Sequence, residues 1–409
     1  MPPFGPRIAS GPKAPHAIQP RDHSQEDHHA LRRSRHRHEH PELAYREEAT
    51  SAYVEQELRA IGVDGIERPA KTSLVAWVKG TKPTDKPTKT VALRCDLDAL
   101  PVEEASDLPF KSKNPGVSHV CGHDAHMAMM LATAKVLAQH RDAFSGTVKF
   151  FFQQAEEQIA GGAAEVVAAG VMEGVDAVVG RHVWNAKTGT ILVATDRQAS
   201  TASDSAVIRI EGCGAHGSAP HTGIDPILVG AEIVQALHTI VSRNINPEHF
   251  AVVSPTIFRA GTVVNVIPQT AEIGLNTRTK DPEDRKLIKE RIFTICESVA
   301  KAHGAKVEVE WEQGYAAIEQ SDDMINRALR VCRETLGEEN VGTWHGMSAS
   351  EDFSAFSAEA PGVYLILGCG SAEEGCPYSN HHPSFRVREE ALPVGVRVEV
   401  AMALDYLNG

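Results

Sequence analysis

A short segment in the N-terminal half concentrates groups that bind metals or carry out covalent chemistry. Residues 119–130 read HVCGHDAHMAMM, and the first eight of them contain three histidines, one cysteine and one aspartate. Thiolates and imidazoles bind transition metals, a cysteine beside a histidine can act as a nucleophile, and polar residues commonly precede a helix. The segment alone therefore leaves three interpretations open: a metal site, a reactive cysteine, or the start of an ordinary helix.

Further ionisable side chains follow predicted strands elsewhere in the chain. They come after VALRC, TVKFFF, VDAVVG and VYLILG, and comprise Asp96, Asp98, Glu156, Glu157, His182, His381 and His382. In an open parallel sheet, ligands bind outside the carboxyl ends of the strands, so these residues are expected to converge on one edge. With Cys121 and His123 they give thiolate, imidazole and carboxylate groups in a number that suits two transition metals, such as Zn, Mn, Co or Ni.

The adjacent glutamates, Glu156 and Glu157, have a chemical logic of their own. One carboxylate can bind a metal while its neighbour takes a proton from a metal-bound water. A metal-binding carboxylate beside a proton-accepting carboxylate is most suited to the hydrolysis of an amide. The alternative is that the two side chains belong to a solvated loop.

The elements around these residues alternate between strands and helices, which predicts an α/β domain with a largely parallel sheet. A helix is predicted to begin near Pro41 and to end at Gly62. From about residue 198 the order becomes β-α-β-β-α-β, which is the ferredoxin-like split motif and predicts an inserted α+β domain. The predicted organisation is a disordered leader (1–30), a catalytic domain (31–197 plus 311–409) and an inserted domain (198–310).

Composition excludes several classes of function. The chain has 409 residues and a formal net charge of −13, which argues against general binding to nucleic acids or anionic membranes. It contains no run of 18 uninterrupted apolar residues, so no spanning helix is expected. Its seven cysteines are scattered without a Cys-x-x-Cys pair, so a disulfide framework is not expected, and a cytoplasmic location is the simplest interpretation.

Nine motifs in order carry a resemblance to a known family. They read HEHPELAYREEAT, RCDLDALPVEE, HVCGHDAHMAMML, QQAEE, GRHVW, GAHGSAPHTGIDPI, GTVVNVIPQTAEIGLNTRT, SASEDFSAF and HHPSFRVREEALPVG. Over residues 32–407 the chain resembles the di-metal aminoacylase/carboxypeptidase amidohydrolases, the metallopeptidase group that includes hippurate hydrolase and the auxin-conjugate hydrolases. The resemblance implies a mostly parallel-sheet catalytic domain with an inserted ferredoxin-like lid and dimerisation domain.

Carried over residue by residue, the resemblance implies a site for two divalent ions, Mn, Zn, Co or Ni. The implied ligands are Cys121, His123, Glu157, His182 and His381. Glu156 is implied to be the general base, and His216 to stabilise the developing oxyanion. Asn265 and Arg278 are implied to hold the substrate carboxylate or the tetrahedral intermediate. Asp96 is interpreted as a carboxylate that orients a ligand imidazole rather than as a ligand.

The chain departs from the family pattern at two positions near these residues. Gln154 stands where the family usually has proline, and this change is expected to loosen the loop that carries Glu156 and Glu157. Arg181 stands beside His182 at a position where an apolar residue is common.

The sequence therefore predicts a cytoplasmic, homodimeric, metal-dependent amidohydrolase. A metal-bridged hydroxide, with a glutamate as general base, would cleave N-acyl or N-aroyl amino acids to a carboxylic acid and a free amino acid. A dipeptidase or carboxypeptidase of the same class is the nearest alternative. A cysteine hydrolase that uses Cys121 and a non-catalytic metal-binding homologue are alternatives from other classes. No nucleic-acid or membrane partner is expected.

Overall fold

The computed structural model describes residues 34–159 and 161–409. The predicted leader, residues 1–30, therefore lies outside the described residues. No helix within the described part of the chain has the length and apolar character needed to cross a bilayer.

The first half of the chain builds most of one sheet and three helices. Its strands are β1 (Gly65–Glu67), β2 (Leu74–Lys79), β3 (Thr90–Asp96), β4 (Thr147–Gln153), β5 (Ala177–Trp184) and β6 (Ile191–Ala194). Its helices are α1 (Glu48–Ile61), α2 (His123–Gln139) and α3 (Ala163–Ala168). Residues 34–39 are also helical.

The middle of the chain builds a second unit. It contains β7 (Ala202–Glu211), β8 (Ala215–His216), α4 (Pro226–Asn244), β9 (Ala251–Ala260), β10 (Val266–Ile267), β11 (Thr270–Thr279), α5 (Pro282–His303) and β12 (Lys306–Gln313). The last part returns to the first unit with α6 (Asp322–Leu336), β13 (Val341–Trp344), α7 (Ser354–Ser357), β14 (Gly362–Gly368) and α8 (Leu392–Asn408). Short 3-10 turns occupy Arg141–Ala143, Pro220–Thr222, Glu338–Asn340, Ala372–Glu374 and Glu389–Ala391.

The large sheet is mostly parallel at its centre. Its strand order is β1-β2-β4-β3-β5-β14-β6-β13, and the neighbours β4, β3, β5 and β14 run parallel to one another. Successive residues of β3 belong to different cores on opposite faces of the sheet: Leu93 lies in the core that includes residues of α1, α2, α6 and α8, while Ala92 lies in the one that includes residues of α3 and α7. Because both faces are covered, β3 is buried along nearly its whole length, as the sequence predicted, although its last residues include Arg94 and Asp96.

The second sheet is antiparallel throughout, with strand order β12-β7-β11-β9. This is the order of a ferredoxin-like sheet, and α4 and α5 pack together on one of its faces. Each helix begins with proline after an aspartate, Asp225 or Asp281, whose carboxylate accepts a backbone N–H of the first turn. The predicted fold class, a mostly parallel α/β unit with an inserted α+β unit, is confirmed.

The helix α1 differs from the predicted helix only at its start. It ends at Gly62, whose φ of 81° provides the left-handed cap, but it begins at Glu48 rather than near Pro41. The preceding residues have other partners, since Leu43 pairs with Ala99 in a parallel bridge. Tertiary contacts therefore override the helical periodicity of this segment.

Candidate active site

The five implied ligands come together at the carboxyl edge of the large sheet. They fall into two groups in which the ligand atoms lie within 4.8 Å of one another. One group contains Cys121, His123 and His182, and the other contains Cys121, Glu157 and His381. Cys121 belongs to both, and its Sγ lies 3.4 Å from His182 Nε2. The arrangement is therefore suited to two neighbouring ions that share one side chain.

A glycine between two of these residues makes their close approach feasible. Gly122 has a φ of 90° and separates Cys121 from His123, the first residue of α2. A Cβ atom at this position would lie 2.5 Å from the Cγ2 atom of Val183 on β5. Only glycine combines this backbone conformation with this contact, so the turn brings α2 directly against the strand that carries His182.

Backbone carbonyls fix the tautomers of two of the imidazoles. His123 Nδ1 lies 2.9 Å from the carbonyl oxygen of Asp98, and His182 Nδ1 lies 2.6 Å from that of Val183. Because a carbonyl can only accept, each Nδ1 must donate, and each Nε2 is left with a free lone pair. His123 Nε2 and Glu157 Oε1 are buried without a hydrogen-bond partner. Two neighbouring buried atoms that have lone pairs and lack a hydrogen-bond partner are suited to binding a metal ion.

The loop that carries His381 is anchored beside the other ligands. The Asn380 side chain donates to the carbonyl oxygens of Cys121 and Val183, at 3.1 and 3.2 Å. His381 itself has a φ of 72°, a strained conformation for a non-glycine residue, and its Nε2 lies 3.2 Å from Glu157 Oε1. Its side chain is 56% exposed, so this predicted ligand forms the solvent side of the cluster.

The glutamate loop follows β4 and is held by several hydrogen bonds. The backbone N–H of Glu157 donates to Asp98 Oδ2 at 2.9 Å. The Gln154 side chain accepts from the backbone N–H of Thr72 at 2.8 Å and donates to Glu165 at 2.8 Å. Gln154 therefore makes buried hydrogen bonds that a proline at this position would lack, and these bonds oppose the expected loosening of the loop. The intervening Ala155 has a φ of 52° and turns the chain sharply.

The two adjacent glutamates are in electrostatically different environments. Burial, together with the charges of Glu351 and Glu157, raises the pKa of Glu156 well above its ordinary value. Burial also opposes ionisation of Glu157, but the neighbouring imidazoles of His381 and His123 outweigh it and lower its pKa. Neighbouring carboxyl groups with opposite pKa shifts are suited to different tasks, one to binding a cation and the other to moving a proton.

Asp96 orients an imidazole, but that imidazole belongs to His126. Asp96 Oδ1 lies 2.6 Å from His126 Nδ1, while His126 Nε2 accepts the backbone N–H of Val183 at 3.0 Å. The other oxygen of Asp96 accepts from Arg94 at 2.9 Å and lies 3.7 Å from His123 Nε2. Asp96 thus links β3 to β5 through His126, next to the predicted ligands.

A buried charge cluster behind the site was not identified from the sequence. Arg94 is fully buried and contacts Asp96, Glu351 and Asp352 at 2.7 to 3.1 Å. Glu351 and Asp352 in turn form a group with Glu156. The motif SASEDFSAF contains both acidic residues, but nothing in the sequence pairs them with an arginine about 260 positions away.

Three predicted residues lie on the inserted unit. His216 on β8 and Asn265 are neighbours, since the backbone N–H of Gly217 donates to the Asn265 carbonyl at 2.8 Å. Arg278 lies on β11 and donates to Ser203 Oγ at 2.6 Å. The described contacts of these three side chains are with the inserted unit itself, so the structure does not bring them into the cluster at the sheet edge.

The surroundings of Cys121 do not suit a nucleophile. Burial and the nearby charges of Glu157 and Glu156 raise the pKa of its thiol well above the ordinary value. A catalytic cysteine needs the opposite shift, because the thiolate is the reactive form. A bound cation would supply the missing positive charge, so the site favours a ligand role over covalent catalysis.

Comparison with known proteins agrees with these observations. Residues 92–405 match a family model described as peptidase family M20/M25/M40. The chain belongs to this family. This chain is 37% identical over 376 residues to thermostable carboxypeptidase 2 of Saccharolobus solfataricus. The match covers 91% of this chain and 93% of that protein.

Other relatives of this chain include an amidohydrolase and a metal-binding peptidase of known structure. N-acyl-L-amino acid amidohydrolase of Geobacillus stearothermophilus is 43% identical over 289 residues, 71% of this chain and 77% of that protein. The YXEP protein of Bacillus subtilis, a dinuclear metal-binding peptidase from the M20 family, superposes with a TM-score of 0.79 at 32% identity, covering 94% of this chain and 99% of that one. The predicted family is confirmed, and the chain is a hydrolase of amide bonds.

Proposed function

We propose that this enzyme hydrolyses the amide bond of N-acyl or N-aroyl amino acids to a carboxylic acid and a free amino acid. The observation that carries the proposal is geometric: carboxylate oxygens of the adjacent Glu156 and Glu157 lie within 4.8 Å of each other and of a His123 ring nitrogen, at the edge of a metal-suited cluster. The name of the Geobacillus stearothermophilus relative supports this substrate class.

We infer that two divalent ions, Mn, Zn, Co or Ni, are held by the two groups of side chains described above. The ligands in this proposal are Cys121, His123, Glu157, His182 and His381. When bound, such ions supply Lewis-acid activation of water and of the substrate carbonyl.

Glu156 would move the proton during the reaction. Its carboxylate accepts a proton from the attacking water and later delivers it to the nitrogen of the leaving amine. Burial favours the protonated form that must exist between these two steps. In the same proposal, Asn265 and Arg278 hold the substrate carboxylate or the tetrahedral intermediate, and His216 stabilises the oxyanion once the inserted unit approaches the sheet edge.

The nearest rival substrate class is the dipeptides. The Saccharolobus solfataricus relative is named a carboxypeptidase, and a dipeptide presents the same combination of amide and carboxylate as an N-acyl amino acid. A panel of N-acyl amino acids and dipeptides, assayed after loading with Mn, Zn, Co or Ni, separates the two. A higher kcat/KM for dipeptides than for every N-acyl amino acid would contradict the proposed substrate.

Removal of metal should lower activity by more than about 100-fold, because the ions activate the attacking water and stabilise the negative charge that develops on the carbonyl oxygen. The experiment is dialysis against EDTA followed by addition of each divalent ion, with hydrolysis measured at every stage. Activity that survives EDTA but is lost on alkylation of Cys121 would favour the cysteine hydrolase instead. Metal-loaded protein that hydrolyses no member of the panel would favour the non-catalytic homologue.

We further propose that the inserted unit, predicted as residues 198–310, is a lid and dimerisation domain. In support, β9 is an edge strand, and apolar side chains around it are exposed, including Ile257, Phe258 and Leu228. Two copies could cover these side chains by pairing their edges.

The protein should therefore elute as a dimer in size-exclusion chromatography with light scattering. Leu228→Glu combined with Ile257→Glu should give a monomer, since charges at a paired apolar edge oppose association. Tyr378→Glu, at a comparably exposed position outside this unit, serves as the control. A monomeric wild type would refute the proposal.

A cytoplasmic location remains part of the proposal. All seven cysteines are free thiols, and six of them are buried. Free thiols persist in a reducing compartment, which supports this assignment. Cell fractionation with an antibody to the protein tests it.

A further inference from the structure

Two segments connect the inserted unit to the catalytic unit, and they are paired with each other. We call residues 197–203 and 314–320 the stem. Gln198 and Glu319 form an antiparallel bridge, and the backbone N–H of Ser203 donates to the carbonyl of Tyr315 at 3.1 Å. The two segments therefore form one hydrogen-bonded connection between the inserted unit and the catalytic unit.

A partly buried ion pair holds the inserted unit to one end of the stem. Arg285 on α5 makes two hydrogen bonds to Asp204, at 2.6 and 2.8 Å. Both residues also bind Gly314: Arg285 donates to its carbonyl at 2.8 Å, and its N–H donates to Asp204 at 3.1 Å. A Cβ at Gly314 would lie 2.3 Å from the Ser203 carbonyl, so the backbone here is tightly enclosed.

Tyr315, the residue after Gly314, contacts the loop of the catalytic unit that carries Glu156 and Glu157. The Tyr315 hydroxyl lies 2.7 Å from the carbonyl oxygen of Glu156 and 2.8 Å from that of Gln158. These two carbonyls flank Glu157, so one hydroxyl spans the segment that carries both functional glutamates. The hydroxyl stays a donor, because burial and the charge of Asp352 raise the pKa of Tyr315.

We propose that Tyr315 is a positioning residue that makes the placement of the Glu156 side chain depend on the position of the inserted unit. The inference rests on the proposed function, in which Glu156 moves the proton. One end of Tyr315 is fixed by the inserted unit through Gly314, and the other end holds the Glu156 carbonyl. Displacement of the inserted unit therefore displaces the loop, and its return restores the geometry needed for proton transfer.

Tyr315→Phe should lower kcat by about 10- to 100-fold and leave KM within about twofold, since a small misplacement of a reacting group is sufficient for such a loss. Tyr45→Phe is the matched control. The Tyr45 hydroxyl contacts Gly161 and Glu165 near the same loop but neither the Glu156 carbonyl nor the stem. A purely structural role would lower the thermal midpoint without this separation of kcat from KM.

A double-mutant cycle tests the coupling itself. Arg285→Met should lower kcat several-fold in the wild-type background and cause no further loss in the Tyr315→Phe background. Equal losses in both backgrounds, or wild-type kcat in Tyr315→Phe, would overturn the proposal.

Hydrogen exchange on the metal-free protein gives a readout that does not depend on activity. Amides of residues 156–158 should exchange faster in Tyr315→Phe than in Tyr45→Phe, and equal exchange would overturn the coupling. If the metal-loaded wild type hydrolyses no amide, the proposed function fails, while the exchange result still decides whether Tyr315 holds the loop.

Discussion

Glu156→Gln should lower kcat by about 100- to 10,000-fold, the range expected when a positioned proton-transfer group is lost. Glutamine has nearly the same shape but cannot accept and return the proton of the attacking water. The substitution is nearly isosteric, and Glu156 belongs to neither of the two ligand groups that share Cys121, although its carboxylate lies within 4.8 Å of ligand atoms of His123 and Glu157. The fold and the bound metal should therefore be retained. Steady-state kinetics on the metal-loaded variant, with metal content measured by elemental analysis, provide the test.

Glu157→Gln is the matched comparison, because it makes the same chemical change one residue away. Its carboxylate contacts His381 and His123, and its pKa is lowered, as expected for a carboxylate that faces cations. This variant should lose metal as well as activity. Near-normal turnover in Glu156→Gln, or full metal retention in Glu157→Gln, would contradict the roles assigned to the two residues.

Glu399→Leu should lower the free energy of unfolding by about 3–5 kcal/mol, because it leaves a buried guanidinium without its partner. Arg181 on β5 is 2% exposed and makes two hydrogen bonds to Glu399 on α8, at 2.9 and 2.7 Å. The other carboxylate oxygen of Glu399 accepts from Thr133 on α2 at 2.6 Å. One carboxylate therefore joins the central sheet to two helices, and urea unfolding measures the cost of its removal.

Combining Glu399→Leu with Arg181→Met should recover most of that loss, since apolar side chains of similar volume often replace a buried ion pair at little cost. Arg59→Met is the control, because it removes an exposed pair with Glu55 one helical turn away and should cost less than about 0.5 kcal/mol. A double variant as unstable as Glu399→Leu alone would show that the position needs charge for another reason.

The sequence was informative wherever local pattern and structure agree. The β-α-β-β-α-β order of the inserted unit followed from alternating strands, long amphipathic helices and aspartate-proline helix starts such as Asp225 and Asp281. Glu156, Glu157 and His182 could be found because they lie at or near the carboxyl ends of parallel strands, which share one edge of the sheet. His123 begins a helix and was recognised from its own motif, and the fold brings it beside His182, 59 positions away.

The partners of buried charges could not be found in the same way. Arg94 looked like a residue of a buried strand, and only the fold brings Asp352 to within 2.7 Å of it. The same is true of Arg181, which appeared as an unusual neighbour of His182 until Glu399 was seen opposite it. Long-range pairs of this kind leave no periodic signal, because each residue is compatible with many environments until the chain is folded.

The start of α1 shows how tertiary contacts override a local pattern. Residues 41–47 have helical spacing, yet Glu47 directs its carboxylate to the backbone N–H of Ala155 at 2.9 Å and to Thr72 at 2.7 Å. A helix that began at Pro41 would compete with this placement. Residues 41–47 therefore do not form a helix, and Glu47 instead stabilises the loop that carries the two glutamates.

The paired stem has a further consequence for how the molecule is built. The chain leaves the catalytic sheet after β6 and returns before α6, at positions that are hydrogen-bonded to each other. Because the two ends of the inserted unit lie next to each other, a short turn would span the same gap. Once the inserted unit is folded, it therefore adds little to the entropy that the catalytic unit loses on folding. The strand order that brings the metal-suited residues together therefore does not depend on the length of the inserted unit.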